Sequence, residues 1–171
     1  TEMWYAYGSN SIRSVTISFN TVSSNNGSGI TVNNEGRFSY IYGVVVSCNT
    51  VSSNGGSGIT LKVYYKTTVG TGGGSGYIYD IVLSSNTISS NGGTGITLNV
   101  YGYCAYEYGY GLAEDGYSYI NNVNVSSNTV SSNGGDGITY YIDNDYYGYL
   151  YSYIYNVTVS SNAVLSNNGN G

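Results

Sequence analysis

The chain has no proline and no histidine, and only 8% of its 171 residues are charged, against roughly 25% in ordinary globular proteins. Each shortage excludes something. Without histidine there is no His-based zinc site, no Ser-His-Asp triad and no Cys-His pair. Four basic residues against nine acidic ones give a net charge of -5. Binding a phosphate backbone takes many Lys and Arg contacts, so a nucleic-acid partner is not expected. No apolar run reaches the length of a membrane-spanning helix. Two cysteines, Cys48 and Cys104, are too few for a disulfide framework and fit no metal-ligand spacing. A single disulfide and two separate buried thiols are both open readings. The first residue is Thr1 and no signal peptide is visible, which fits a processed product or a fragment.

What the chain has instead is glycine (26), tyrosine (23) and asparagine (22), about two-fifths of all residues. They are arranged in a repeat. Five blocks align without a gap at residues 15–32, 44–61, 81–98, 123–140 and 157–171, and the fifth stops three residues short. Within the first block, Val15, Ile17, Val22, Ile30 and Val32 carry the period-two spacing of strands. Asn20 and the run Asn25 to Gly29 separate them, and Asn and Gly suit the left-handed backbone of sharp corners. Each block therefore reads as short strand, corner, short strand, corner, short strand. Such strands are stable when stacked on their counterparts one repeat away.

Stacking turns equivalent residues into columns. Val22, Val51, Ile88, Val130 and Val164 form a core column. Asn20, Asn49, Asn86, Asn128 and Asn162 form one asparagine ladder, and Asn25, Asn54, Asn91, Asn133 and Asn167 a second. Their amides can satisfy each other and the turn backbone. Ile12, Ile41, Ile78, Ile120 and Ile154 lie three residues before each block. The unit is thus close to one turn of a three-sided β-helix. The excess residues, 33–43, 62–80, 99–122 and 141–156, are expected to leave as loops at one corner.

Units such as SSNTISSNGGTGITL at Ser84–Leu98 resemble the parallel β-helix repeats of the pectin-lyase-like superfamily, of the carbohydrate-binding and sugar-hydrolase type. The resemblance implies a right-handed, all-β parallel β-helix of about five coils in a single domain, 1–171. Its members include polysaccharide lyases, hydrolases, surface adhesins and phage tail parts. It implies no particular function here, because no catalytic set is visible.

The connecting segments hold most tyrosines. Tyr149, Tyr151, Tyr153 and Tyr155 alternate as strand residues do. Tyrosine joins an apolar ring to a polar tip and suits interfaces, so assembly surface, sugar stacking through Tyr103, Tyr147 and Tyr149, and plain packing are the readings. Carbohydrate chemistry would need two carboxylates roughly 5–9.5 Å apart. The acids form no column, so neither catalysis nor a cofactor is expected. Asp143 and Asp145 could share a strand face, the one hint of a calcium site. Thr and Ser ranks at Thr21, Thr50, Thr87 and Thr129 would suit an ice surface. Three sequons, at Asn26, Asn124 and Asn156, would matter in a secreted protein.

Finally, the two ends match. From Asn162 through Gly171 and on to Asn20 of a following copy is 29 residues, the same spacing as Asn20 to Asn49. Thr1, Glu2 and Met3 would supply the strand that follows Gly171, with Trp4 and Tyr5 opening the next connection. Val164, Gly169 and Gly171 would lie across the junction. Neither end carries the polar cap that solenoids use. The expectation is an extracellular or cell-surface filament subunit, partnered by copies of itself head to tail. A non-catalytic carbohydrate-binding adhesin or fibre module is the alternative.

Overall fold

A computed structural model describes residues 8–68, 73–105, 113–145 and 148–171. The first coil contains β1 (Ser9–Ser18), β2 (Thr21–Ser23) and β3 (Ile30–Gly36). The second contains β4 (Phe38–Ser47), β5 (Thr50–Ser52) and β6 (Ile59–Thr68), and the third β7 (Ser75–Ser84), β8 (Thr87–Ser89) and β9 (Ile96–Ala105). The fourth contains β10 (Ala113–Ser126), β11 (Thr129–Ser131) and β12 (Ile138–Asp145). The fifth contains β13 (Gly148–Ser160) and β14 (Ala163–Leu165). Each strand pairs with its equivalent one coil away, always parallel. This gives a first sheet β1-β4-β7-β10-β13, a second β2-β5-β8-β11-β14 and a third β3-β6-β9-β12. The chain is a right-handed parallel β-helix.

The core is the sum of the inward columns. Ile17, Val46, Leu83, Val125 and Val159 are in register, as are Val22, Val51, Ile88, Val130 and Val164. The middle members, Val46, Leu83, Val125, Val51, Ile88 and Val130, have no solvent exposure. β-Branched and leucine side chains at period two make that packing possible.

The corners differ from the sequence expectation. The left-handed residues are not the ladder asparagines but the residues just before them: Phe19, Cys48, Ser85, Ser127 and Ser161 at one corner, and Ser24, Ser53, Ser90, Ser132 and Ser166 at the next. The reason is that the asparagine side chain must point inward, so its predecessor takes the turn. The corner glycines serve close approach instead. A Cβ on Gly58 would run into the Ile88 side chain and lie 2.7 Å from the Gly95 carbonyl oxygen.

A third left-handed column was not foreseen: Ser14, Gly43, Asp80, Asn122 and Asn156. It lies inside the long strands of the first sheet, where residues 14 and 43 drop out of the register between β1 and β4. Here Ile12 and Val15, three apart, both pack against the core. An extra residue must sit between them, as in a β-bulge.

The segments read as loops are largely strand. β3, β6, β9 and β12 run on past the repeat block, and β4, β7, β10 and β13 start well before it. Only the link from the third sheet back to the first varies in length. Among its described residues lies a buried polar cluster of Tyr65, Ser118 and Asn144. Tyr65 is fully buried and its hydroxyl shares a 2.9 Å hydrogen bond with Ser118 Oγ and donates to Asn144 Oδ1 at 3.2 Å. Gly76 and Gly102 leave room for that ring.

Cys48 is an exposed, unbonded thiol, so neither the disulfide to Cys104 nor a buried Cys48 thiol is present. Cys48 turns outward at the first-to-second-sheet corner, whereas residue 104 lies in β9 of the third sheet.

Candidate assembly faces

Both asparagine ladders form, and they have a direction. Asn20 donates from its backbone N–H and its Nδ2 to Oδ1 of Asn49, at 2.9 and 3.0 Å. Asn49 does the same to Asn86, Asn86 to Asn128, and Asn128 to Asn162. The second ladder repeats the pattern from Asn25 through Asn54, Asn91 and Asn133 to Asn167. Each inner amide also reaches back to the coil behind it: Asn86 Nδ2 donates to the Val46 carbonyl at 2.9 Å. This satisfaction lets Asn49, Asn86, Asn91, Asn128 and Asn133 lie buried.

The direction makes the two ends chemically unlike. Among the described residues, the first coil has no donor onto Oδ1 of Asn20 and Asn25. Nor, among the described residues, is there an acceptor for the backbone N–H of Asn162 and Asn167 in the last coil. The apolar columns are open at the same places. Ile12, Val15, Ile17 and Val22 are only partly buried in the first coil, as are Val157 and Val164 in the last, where Ile154 is 46% and Val159 52% exposed. The end coils also carry apolar residues where inner coils carry small polar ones. Phe19 stands in the column of Cys48, Ser85, Ser127 and Ser161 and is 83% exposed, and Leu165 stands in that of Ser52, Ser89 and Ser131 and is 58% exposed.

Of the residues named for assembly, Val164 lies on the last face. Gly171 accepts from the Ile138 N–H at 3.0 Å, and Gly169 donates to the Gly135 carbonyl at 3.0 Å. Thr1, Glu2, Met3, Trp4 and Tyr5 lie outside the described residues, as do Tyr147 and the side chain of Tyr149. Asn26, Asn124 and Asn156 are exposed. Asp143 is exposed, and among the described residues no three His, Cys, Asp or Glu side chains gather as a metal site.

The outer surface of the first sheet carries tyrosine columns that the repeat alignment showed only in part. Tyr40, Tyr77, Tyr119 and Tyr153 stack with centroid spacings of 5.0, 5.1 and 5.4 Å. Tyr42 stacks on Tyr79 at 4.8 Å and Tyr117 on Tyr151 at 5.3 Å. On the third sheet Tyr64 stacks on Tyr101. Ring faces are thus turned to each other, which removes most of the face area that sugar stacking would use. Tyr103 is half-buried with Lys66 Nζ 5.5 Å from its ring centre. A depression of about 330 Å³ lies among Tyr40, Tyr77, Tyr79, Tyr119, Asn121 and Tyr155. Desolvation holds the phenols of Tyr40, Tyr79 and Tyr119 above the ordinary tyrosine value, with neighbouring tyrosines adding to it.

Comparison of the chain with protein-family models, curated proteins and solved structures gave no match. The likeness to the pectin-lyase-like superfamily is therefore one of shape alone.

Proposed function

We propose that this chain is a non-catalytic structural subunit that stacks head to tail along the β-helix axis into an extracellular filament. The observation that carries the reading is the complementarity of the two end coils. Asn162 and Asn167 have donors to give where Asn20 and Asn25 have acceptors to fill. In that arrangement Ile154, Val157, Val159 and Val164 of one copy meet Ile12, Val15, Ile17 and Val22 of the next. The inward apolar columns and both asparagine ladders then continue with the residue type they already have. On the outer surface Tyr155 meets Arg13, which already donates to the Tyr42 hydroxyl at 3.5 Å within its own chain. Parallel strand edges left open favour such addition, and a heterologous contact that does not close gives a fibre. Burying the two apolar faces contributes about 25 cal/mol per Å², reduced by the cost of association. An extracellular site is supported by the low charge and the abundance of Asn, Gly and Tyr.

Electron microscopy of the purified protein tests this. The expected image is a filament with an axial rise of about 24 Å, five strand spacings of roughly 4.8 Å each. Val164→Lys places an ammonium in the junction and should abolish filaments, with the circular dichroism of a β-fold retained. A protein that stays monomeric at high concentration overturns the proposal. So does a filament whose subunits join through the tyrosine columns, which Val164→Lys would leave intact.

A further inference from the structure

We infer that the tyrosine columns are a site of oxidative cross-linking, at which dityrosine bonds tie one coil to the next within a single chain. The inference does not rest on end-to-end stacking. Parallel stacking puts tyrosine on tyrosine in register at five places on the first sheet: Tyr40 on Tyr77, Tyr77 on Tyr119, Tyr119 on Tyr153, Tyr42 on Tyr79, and Tyr117 on Tyr151. Interplanar angles in the longest column are 5°, 7° and 11°. The rings are offset-stacked neighbours, partly or fully exposed at their edges, so a soluble oxidant can reach them.

The chemistry needs a one-electron oxidant, such as a peroxidase working on hydrogen peroxide. Two phenols each lose one electron to it and one proton to water, and the peroxide is reduced to two waters. The resulting phenoxyl radicals carry spin on their ortho carbons. One C–C bond forms between ortho carbons of adjacent rings. Each ortho hydrogen leaves through solvent as a proton and returns to a phenolic oxygen, restoring both phenols. The product has lost one hydrogen from each ring. Radical partners already in contact couple far faster than partners that must meet by diffusion, so cross-coil bonds within the chain should form ahead of bonds between chains. Such a bond would act as a disulfide does, by restricting the unfolded chain, in a protein where Cys48 is unbonded.

The test is treatment of dilute, folded protein with a peroxidase and hydrogen peroxide. Dityrosine fluorescence, denaturing gel mobility and mass analysis of proteolytic fragments give the readout. The expected result is fluorescence in a band of monomer mass, with fragments linked through Tyr40–Tyr77, Tyr77–Tyr119 or Tyr119–Tyr153. Tyr77→Phe keeps a stacked ring, so the fold should survive. It should remove every link through position 77 and leave Tyr117–Tyr151. Unfolding in urea before oxidation should remove the register-specific pattern. Links confined to tyrosines outside the columns, links only between chains, or the same pattern in urea would each overturn the inference.

Discussion

A buried asparagine is costly unless its amide is fully used, and Asn86 shows how completely these are. Its Oδ1 takes the backbone N–H and Nδ2 of Asn49, while its own Nδ2 serves Asn128 and the Val46 carbonyl. Asn86→Ala would take the acceptor from the buried Asn49 N–H and a donor from the Val46 carbonyl. It should cost about 2–4 kcal/mol, read as a lower denaturant midpoint. The same change at Asn20, where one end of the ladder is already open, should cost less. Tyr140 is the opposite case. It takes the inward place of Val32, Leu61 and Leu98, and its buried hydroxyl has no partner among the described residues. Burial pushes its phenol well above the ordinary tyrosine value. A proton held more tightly in the folded state means stability that is intact below the unfolded value of about 10 and lost as pH rises beyond it. At neutral pH Tyr140→Phe removes only the unpartnered buried hydroxyl, and should stabilise the protein by about 1–2 kcal/mol. Urea titrations from pH 8 to 11 should show a shallower alkaline decline in the variant; an unchanged decline would mean that Tyr140 ionises freely.

At the scale of elements, the repeat made most of the fold legible. Gapless blocks named the inward columns, and each of the three sheets follows from them. The asparagine ladders were readable for the same reason: a five-fold register leaves an inward polar residue only its own copies as partners. Three features were harder to see. The turn residue proved to be the one before each asparagine, because a serine, cysteine or phenylalanine in left-handed conformation carries no sequence mark. The bulge after Ile12 was not read, although two inward residues three apart cannot lie on one regular strand. The strand extensions were obscured because their lengths differ from coil to coil. There, Tyr65 owes its burial to Ser118 and Asn144, which lie 53 and 79 residues away, beyond any periodic signal. The tyrosine columns were half legible: Tyr40, Tyr77, Tyr119 and Tyr153 align before the blocks, whereas Tyr42 on Tyr79 and Tyr117 on Tyr151 require the observed register.

For the whole molecule, a solenoid is nearly one-dimensional, and its stability is a sum over coils and the contacts between them. An inner coil has two neighbours and an end coil one. Burial follows that rule: Val46, Leu83 and Val125 are sealed, while Val159 in the same column is 52% exposed. Opening should therefore begin at both ends and move inward. In dilute protein, hydrogen exchange should be slowest for the amides of Asn49, Asn86 and Asn128, whose acceptors lie within the stack. Asn162 and Asn167, with no acceptor ahead of them among the described residues, should exchange fastest of the ladder amides. Stacking end to end changes only this boundary. Once Asn20 and Asn25 of a following copy accept those two amides, protection at Asn162 and Asn167 should rise towards that of the inner rungs, and β1 and β13 should follow. Inner amides such as Asn86 should change little, because their neighbours are already in place. Exchange measured across a concentration series separates the possibilities. A rise confined to the end rungs places the contact on the coil faces, and a rise on the tyrosine surface of the first sheet places it at the side. Equal protection of all rungs in the dilute protein would mean that the end coils are already covered and have no face left to offer.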